Sequence, residues 1–175
     1  MGPKMEERNY KKLFAEKVEH LEKTLPKLTR GVNCAELTFT NILDVLGIEN
    51  GLLNNAIIPL AGGFGGYKSK NGWQGACGAV CGGCAAIGII LGGKERMHDK
   101  IIPIAYLKAA KFASEFEKEF GSVICAELCG YDFSTADGFI QYQKDDCWSN
   151  TCYKYVIWAI KKVQKLMNHQ LKLFW

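Results

Sequence analysis

Cysteine is the residue type most capable of chemistry in this sequence of 175 residues, which contains eight cysteines. They fall in four regions of the chain and are Cys34, Cys77, Cys81, Cys84, Cys125, Cys129, Cys147 and Cys152. A cysteine thiolate is both a nucleophile and a metal ligand. In a chain without secretory features, so many cysteines favour metal binding or redox cycling over structural disulfides.

Four predicted helices each carry a cysteine in the first turn, and these cysteines are Cys34, Cys77, Cys125 and Cys152. Asn33, Ser122 and Asn150 are the predicted caps of three of these helices, because their side chains accept hydrogen bonds from free N–H groups. Free N–H groups and the positive end of the helix dipole stabilise a thiolate. We therefore expect these four thiols to have pKa values below the usual ~8.5.

Three further cysteines follow members of this set at helical spacing. Cys81 and Cys84 follow Cys77, and all three would lie on one helix face. Cys129 follows Cys125 by four residues and would share a face with it. Each of the three is therefore predicted to lie near a cysteine in a first helical turn.

Cys147 comes from a loop just before the last predicted helix. Its neighbours Asp145 and Asp146 oppose formation of a thiolate, so we expect a raised pKa and a weak ligand or nucleophile. We rank Cys129 and Cys147 last among the candidate metal ligands, because free cysteines are also common as small buried apolar residues. Replacing Cys147 should therefore disturb a bound cluster less than replacing Cys77.

The neighbours of the cysteines and glycines argue against several known motifs. Ala85 follows the Cys81–Cys84 pair where covalent haem attachment needs histidine, and no strand precedes the pair as in thioredoxin. Structural zinc normally uses two such pairs, so zinc stays open without support. The glycines at 62–66 lack the strand and the lysine-serine ending of a phosphate loop. We expect them to form a tight backbone path into the next helix.

Hydrophobic residues recur at helical spacing through most of the chain, and no alternating strand pattern is present. The spacing predicts helices at about 6–25, 34–46, 52–60, 74–91, 98–120, 122–128 and 150–168, with a long loop at 131–146. We expect an all-α single domain, a bundle of about five to seven helices around a buried helix of small residues. Its parts would be an N-terminal helix (1–30), a cysteine core (31–162) and the end of the last helix (163–175).

Composition and charge exclude several classes of protein. A hydrophobic fraction of 48% argues against disorder, and a scattered net charge of +4 argues against a nucleic-acid partner. Residues 71–93 carry no charge but contain eight glycines, so we predict a buried helix rather than a membrane span. Residues 1–27 are charged and amphipathic and lack the apolar core of a signal peptide, so we expect a cytoplasmic protein.

Several motifs resemble the C_GCAxxG_C_C family of redox-active proteins. The segment Cys77–Gly82 (CGAVCG) matches the CGAxxG motif of that family, and Asn33–Glu36 (NCAE) is similar to its opening cysteine segment. The glycine-phenylalanine loop at 62–66 and the segments Phe120–Leu128 and Cys152–Val156 resemble its remaining motifs. The likeness covers most of the chain.

This resemblance spans about 31–162 and implies an all-helical fold with one functional set of cysteines. We name them the family cysteines, and they are Cys34, Cys77, Cys125 and Cys152. We expect them to converge from helix N-termini on one site beside the 62–66 loop. The resemblance implies no role for the other four cysteines, and it implies redox work associated with membrane transport.

Three functions are open at this point. The first is electron transfer through an iron–sulfur cluster, with the family cysteines, Cys81 and Cys84 as candidate cofactor ligands. The second is a dithiol–disulfide redox protein without metal, in which the family cysteines are the redox-active set. The third is a non-catalytic zinc- or copper-binding accessory module for transport. We expect a redox partner protein, and self-association of the chain into a homo-oligomer is an open alternative.

Overall fold

Eight α-helices form the part of the chain that the computed structural model describes, residues 9–29 and 32–175. They are α1 (Tyr10–Thr24), α2 (Cys34–Leu46), α3 (Gly51–Ile57), α4 (Gly78–Gly92), α5 (Ile102–Phe120), α6 (Cys125–Cys129), α7 (Ala136–Lys144) and α8 (Tyr153–Phe174). Short 3₁₀ turns follow α1 and α3, and a π-helical turn at Trp148–Cys152 leads into α8. Seven of the helices have seven residues or more, and these ranges contain no strand. The predicted all-helical bundle is confirmed.

Helix α4 lies at the centre of the bundle, where it packs on α2, α5 and α8. Its inner face is made largely of glycine and alanine, which allows neighbouring backbones to approach closely. At Gly82 a Cβ atom would collide with the carbonyl oxygen of Ala35 and lie 2.9 Å from Cβ of Thr38. The prediction of a buried central helix of small residues is therefore confirmed.

Three predicted helix starts are too early because the residues before them adopt other structures. Helix α6 begins at Cys125 and not at residue 122, and Ser122 does not cap it, since its hydroxyl group accepts a hydrogen bond from the Ile124 N–H group before the helix. Helix α4 begins at Gly78 rather than near residue 74, since Gln74 and Ala76 form isolated bridges with Lys68 and Ile124. Helix α5 begins at Ile102, with Pro103 in its first turn, rather than near residue 98. The predicted start of the first helix at residue 6 and the boundary between residues 30 and 31 lie outside the described residues.

The loop predicted for residues 131–146 is also wrong, because it contains α7. Thr135 caps this helix by accepting a hydrogen bond from the Gly138 N–H group. None of the residues of α7 is fully buried. The segment 132–138 at its start is rich in aspartate, serine, threonine and glycine, a composition typical of loops, so the sequence did not indicate this helix. No helix of the described residues is long and apolar enough to cross a membrane.

We expect the substitution Gly82→Ala to destabilise the protein by ~1–3 kcal/mol, because the added methyl group overpacks the contact between α4 and α2. Gly88→Ala in the same helix is the matched control, since a Cβ there meets no atom within 4 Å. The control should be neutral or stabilising by up to about 1 kcal/mol, because alanine favours helix. Urea unfolding measures both free energies, and equal effects would contradict the packing described here.

Candidate functional site

Six cysteines lie close together at the N-terminal end of α4, where the charge of one sulfur raises the pKa of others. We name this set the cysteine pocket, and its members are Cys34, Cys77, Cys125, Cys129, Cys147 and Cys152. Cys81 lies at its edge, where its charge acts on Cys34 and Cys77. Cys84 is farther along α4 and is affected by Cys81. The structure thus brings the family cysteines together, and their role in redox chemistry stays a prediction.

A short backbone pairing holds the starts of α4 and α6 side by side. The Cys77 N–H group donates to the Val123 carbonyl oxygen at 2.7 Å, and the Cys125 N–H group donates to the Gly75 carbonyl oxygen at 3.1 Å. These two hydrogen bonds flank the isolated antiparallel bridge between residues 76 and 124. The sulfurs of Cys77 and Cys125 therefore enter the pocket from neighbouring, fixed backbone positions.

The position of Cys34 depends on the contact between α2 and α4. Asn33 caps α2 as predicted, by accepting a hydrogen bond from the Glu36 N–H group at 2.9 Å. At Gly78 a Cβ atom would lie 2.9 Å from the Ala35 nitrogen, so a larger residue there would push the start of α2 away. The 62–66 loop lies against the same region, since a Cβ at Gly65 would be 2.6 Å from the Ala76 carbonyl oxygen. The site is therefore beside this loop.

Cys147 and Cys152 face each other across the π-helical turn, with their Sγ atoms 3.9 Å apart. A π turn has i→i+5 hydrogen bonds, so it aligns two residues five positions apart, which a regular α-helix would not do. The Trp148 ring anchors this turn by donating from Nε1 to the Leu25 carbonyl oxygen at 2.6 Å. Asn150 lies inside the turn and does not begin a helix, so the predicted first-turn position of Cys152 is wrong.

The expectation of low thiol pKa values at the family cysteines is wrong. Burial raises the pKa of Cys34 to about 12. Burial also raises the pKa of Cys77, although the N–H groups of Ala79 and Val80 act in the opposite direction. The largest cost of forming a thiolate in this pocket is the loss of water around the charge, and one helix N-terminus does not offset it.

Two pairs of neighbouring thiols influence each other's pKa values. The Cys129 thiol raises the pKa of Cys125, and the Cys125 thiol lowers that of Cys129 to about 7. A hydrogen bond with Cys152 likewise lowers the pKa of Cys147, while the pKa of Cys152 is raised. The charge of Asp145 raises the pKa of Cys147 as expected, but this effect is smaller. The prediction of a raised pKa for Cys147 is therefore wrong.

The remaining two cysteines are less favourable as thiolates, because burial raises the pKa of Cys81 and raises that of Cys84 to about 11.

Sequence reasoning missed two tyrosines at the pocket. The Tyr155 hydroxyl donates to the Leu128 carbonyl oxygen at 3.1 Å, and burial raises its pKa to about 12. The Tyr142 ring packs against those of Tyr131 and Phe133, and burial, followed by the charge of the Cys152 sulfur, raises the pKa of its hydroxyl group. Tyr142 carried no signal because it lies in the segment predicted as a loop.

Comparison with protein families agrees with the motifs in the sequence. A family model described as "Putative redox-active protein (C_GCAxxG_C_C)" matches residues 32–166. The chain belongs to this family. It is therefore a cysteine-containing member of a class described as redox-active, and the predicted resemblance is confirmed.

No curated protein and no solved structure matches the chain. Within residues 9–29 and 32–175, no group of three or more histidine, cysteine, aspartate or glutamate side chains is arranged to hold a metal ion.

Cys129 should react with iodoacetamide faster than Cys77 in the reduced, metal-free protein at neutral pH. Cys129 is half-buried with a pKa lowered to about 7, whereas Cys77 is buried with a raised pKa. Since the thiolate is the reacting form, the Cys129 rate should rise from about pH 6 to about pH 8 and then level off. Mass spectrometry of the labelled peptides measures both rates, with urea-unfolded protein as the control in which they converge. A faster reaction at Cys77 in the folded protein would contradict this assignment.

Proposed function

We propose that this protein transfers electrons through an iron–sulfur cluster held by the four family cysteines. The observation that carries the proposal is the convergence of these cysteines from α2, α4, α6 and the π-helical turn on one pocket. Four cysteine sulfurs are the usual ligand set of [2Fe–2S] and [4Fe–4S] clusters. A cluster distributes its ligands over two or more irons, so the sulfurs need not surround a single ion.

The electrostatics of the pocket also suit metal ligands better than free nucleophiles. Burial or a neighbouring thiol raises the pKa of all four family cysteines, so each holds its proton when no cation is near. A reactive nucleophilic cysteine needs the opposite, a lowered pKa. A coordinating metal deprotonates a thiol outright and compensates its charge. The buried thiols are therefore suited to a role in which a metal supplies the positive charge.

The chain contributes surroundings that suit such a centre. When bound, a cluster would supply one-electron transfer at a potential set by hydrogen bonds to sulfur and by exposure to solvent. The Ala79 and Val80 N–H groups lower the pKa of Cys77 against the larger effect of burial, so they favour a negative charge on its sulfur. A redox partner protein, a homo-oligomer and an association with membrane transport stay predictions from the sequence.

A dithiol–disulfide protein without metal is the second candidate, favoured by the 3.9 Å distance between the Cys147 and Cys152 sulfurs. A disulfide bond is about 2.05 Å long, so a local adjustment of the π-helical turn would suffice to form it. Formation of this bond would release two protons and two electrons. A disulfide of the partner protein could accept both and become two thiols.

Anaerobic purification followed by iron and acid-labile sulfide analysis tests the first proposal. We expect the wild-type protein to contain both, and we expect Cys34→Ser and Cys77→Ser to lose them because each removes one of four ligands. Cys84→Ser is the matched control, since it removes a cysteine of the same central helix that lies outside the cysteine pocket. A wild-type protein free of iron, or a Cys77→Ser variant that keeps its iron, would refute the cluster.

Comparing the two candidates requires one further variant. Cys147→Ser should leave the iron content unchanged if the family cysteines hold a cluster, because Cys147 is outside that set. If the protein is a dithiol carrier, Cys147→Ser should instead abolish its redox activity, because the Cys147–Cys152 disulfide could not form. Mass spectrometry of oxidised, non-reduced peptides shows whether this disulfide exists in the wild-type protein.

A further inference from the structure

Helix α5 carries exposed apolar side chains on its outer face. Its inner face packs on α4 and α8 and buries Phe112 and Phe116. On the outer face, Tyr106 and Leu107 are 71% and 72% exposed, and Ile104 is 41% exposed. The solvent side of a packed helix is normally polar, and a cluster of large exposed apolar residues is typical of a contact surface. This face of α5 is therefore a candidate interface.

The residues along the middle of this face have the spacing of a seam between two helices. Pro103, Leu107, Ala110 and Ser114 follow one another at intervals of four, three and four residues, and all four are exposed. Such a spacing places side chains in one line along a helix. Ala110 and Ser114 are small, so another helix can approach closely there, and Leu107 is large enough to fill the space beside a small residue. The seam therefore fits a second helix with the same pattern.

The charges along α5 favour a second copy of this chain as the partner. The lysines of its N-terminal half and of the turn before it are Lys100, Lys108 and Lys111, and the glutamates of its C-terminal half are Glu115, Glu117 and Glu119. Only Asp99 and Lys118 depart from this division. Two copies of α5 packed antiparallel would bring opposite charges together, whereas a parallel pair would bring like charges together. The helix is thus complementary in charge to itself in the antiparallel direction.

Two of these charges have no ion-pair partner within the described residues. Lys111 and Glu115 contact each other at 3.9 Å, but exposed Lys100 and Glu117 form no ion pair with another described residue. In an antiparallel pair centred between positions 108 and 109, residue 100 of one copy lies opposite residue 117 of the other. The same register places residue 107 opposite residue 110. It therefore matches the apolar seam and the unpaired charges at once.

We propose that α5 forms the interface of a homodimer, in which two copies of this helix pack antiparallel about a two-fold axis near residues 108 and 109. Leu107 of each copy packs beside Ala110 of the second copy, and Lys100 pairs with Glu117 of the second copy. Each contact occurs twice, because a two-fold interface uses the same surface on both subunits. This inference is independent of the redox chemistry proposed above.

The substitution Leu107→Asp tests the apolar seam. We expect the wild-type protein to sediment as a dimer and the variant to dissociate about tenfold more readily or more, because two carboxylates would face each other near the two-fold axis. Leu52→Asp is the matched control, since Leu52 is 80% exposed on α3, outside the seam. Analytical ultracentrifugation over a concentration series, with a reductant to prevent disulfides between chains, measures all three proteins. A wild-type protein that stays monomeric, or a Leu107→Asp variant as dimeric as the control, would overturn the proposal.

Reversal of charge tests the antiparallel register in the same experiment. Lys100→Glu and Glu117→Lys should each weaken the dimer several-fold, because each places like charges opposite one another twice. The double variant should recover the wild-type affinity, because it exchanges the two charges and restores both pairs. Single variants with unchanged affinity, or a double variant no tighter than the single ones, would overturn this register.

Discussion

The direct packing of α4 on α2 is the contact on which the rest of the structure depends. Gly78 and Gly82 leave no space for a side chain at this contact, and each lies against the backbone of Ala35. Ala35 follows Cys34, and Gly78 follows Cys77, so the same close approach that builds the core also brings two of the family cysteines together. The fold and the redox site therefore depend on the same glycines.

The loss of solvation in the pocket determines whether its thiols can ionise. Each sulfur of the four family cysteines has lost water and has other sulfurs nearby, and both effects oppose a negative charge on it. Two ways of relieving this cost are consistent with the arrangement. A metal cluster would supply positive charge to four sulfurs at once, and a disulfide would remove the ionisable groups in pairs. A cluster and a disulfide are both redox centres, which agrees with the family to which the chain belongs.

The sequence predicted those features that depend on local pattern. The helical spacing of apolar residues predicted the bundle, and the glycine content of the central helix predicted close packing around it. The Asn33 cap predicted the start of α2 correctly because a cap acts on N–H groups of its own helix. The motifs predicted the family because they lie in order along the chain.

Features that depend on distant contacts were not predictable in the same way. The thiol pKa values follow from burial and from sulfur pairs, so the helix-dipole argument gave the wrong sign for Cys34 and Cys77. The π-helical turn that aligns Cys147 with Cys152 is a change of hydrogen-bond register, for which composition gives no signal. Tyr142 was missed because α7 begins within a segment of aspartate, serine, threonine and glycine at 132–138, which resembles a loop.

Anomalous X-ray diffraction at the iron absorption edge, from crystals of anaerobically purified protein, would show whether the cysteine pocket holds iron. We expect an anomalous peak in the pocket, within bonding distance of the sulfurs of Cys34, Cys77, Cys125 and Cys152. A crystal structure of the same preparation with no iron in the pocket and a disulfide between Cys147 and Cys152 would contradict it and support the dithiol carrier instead.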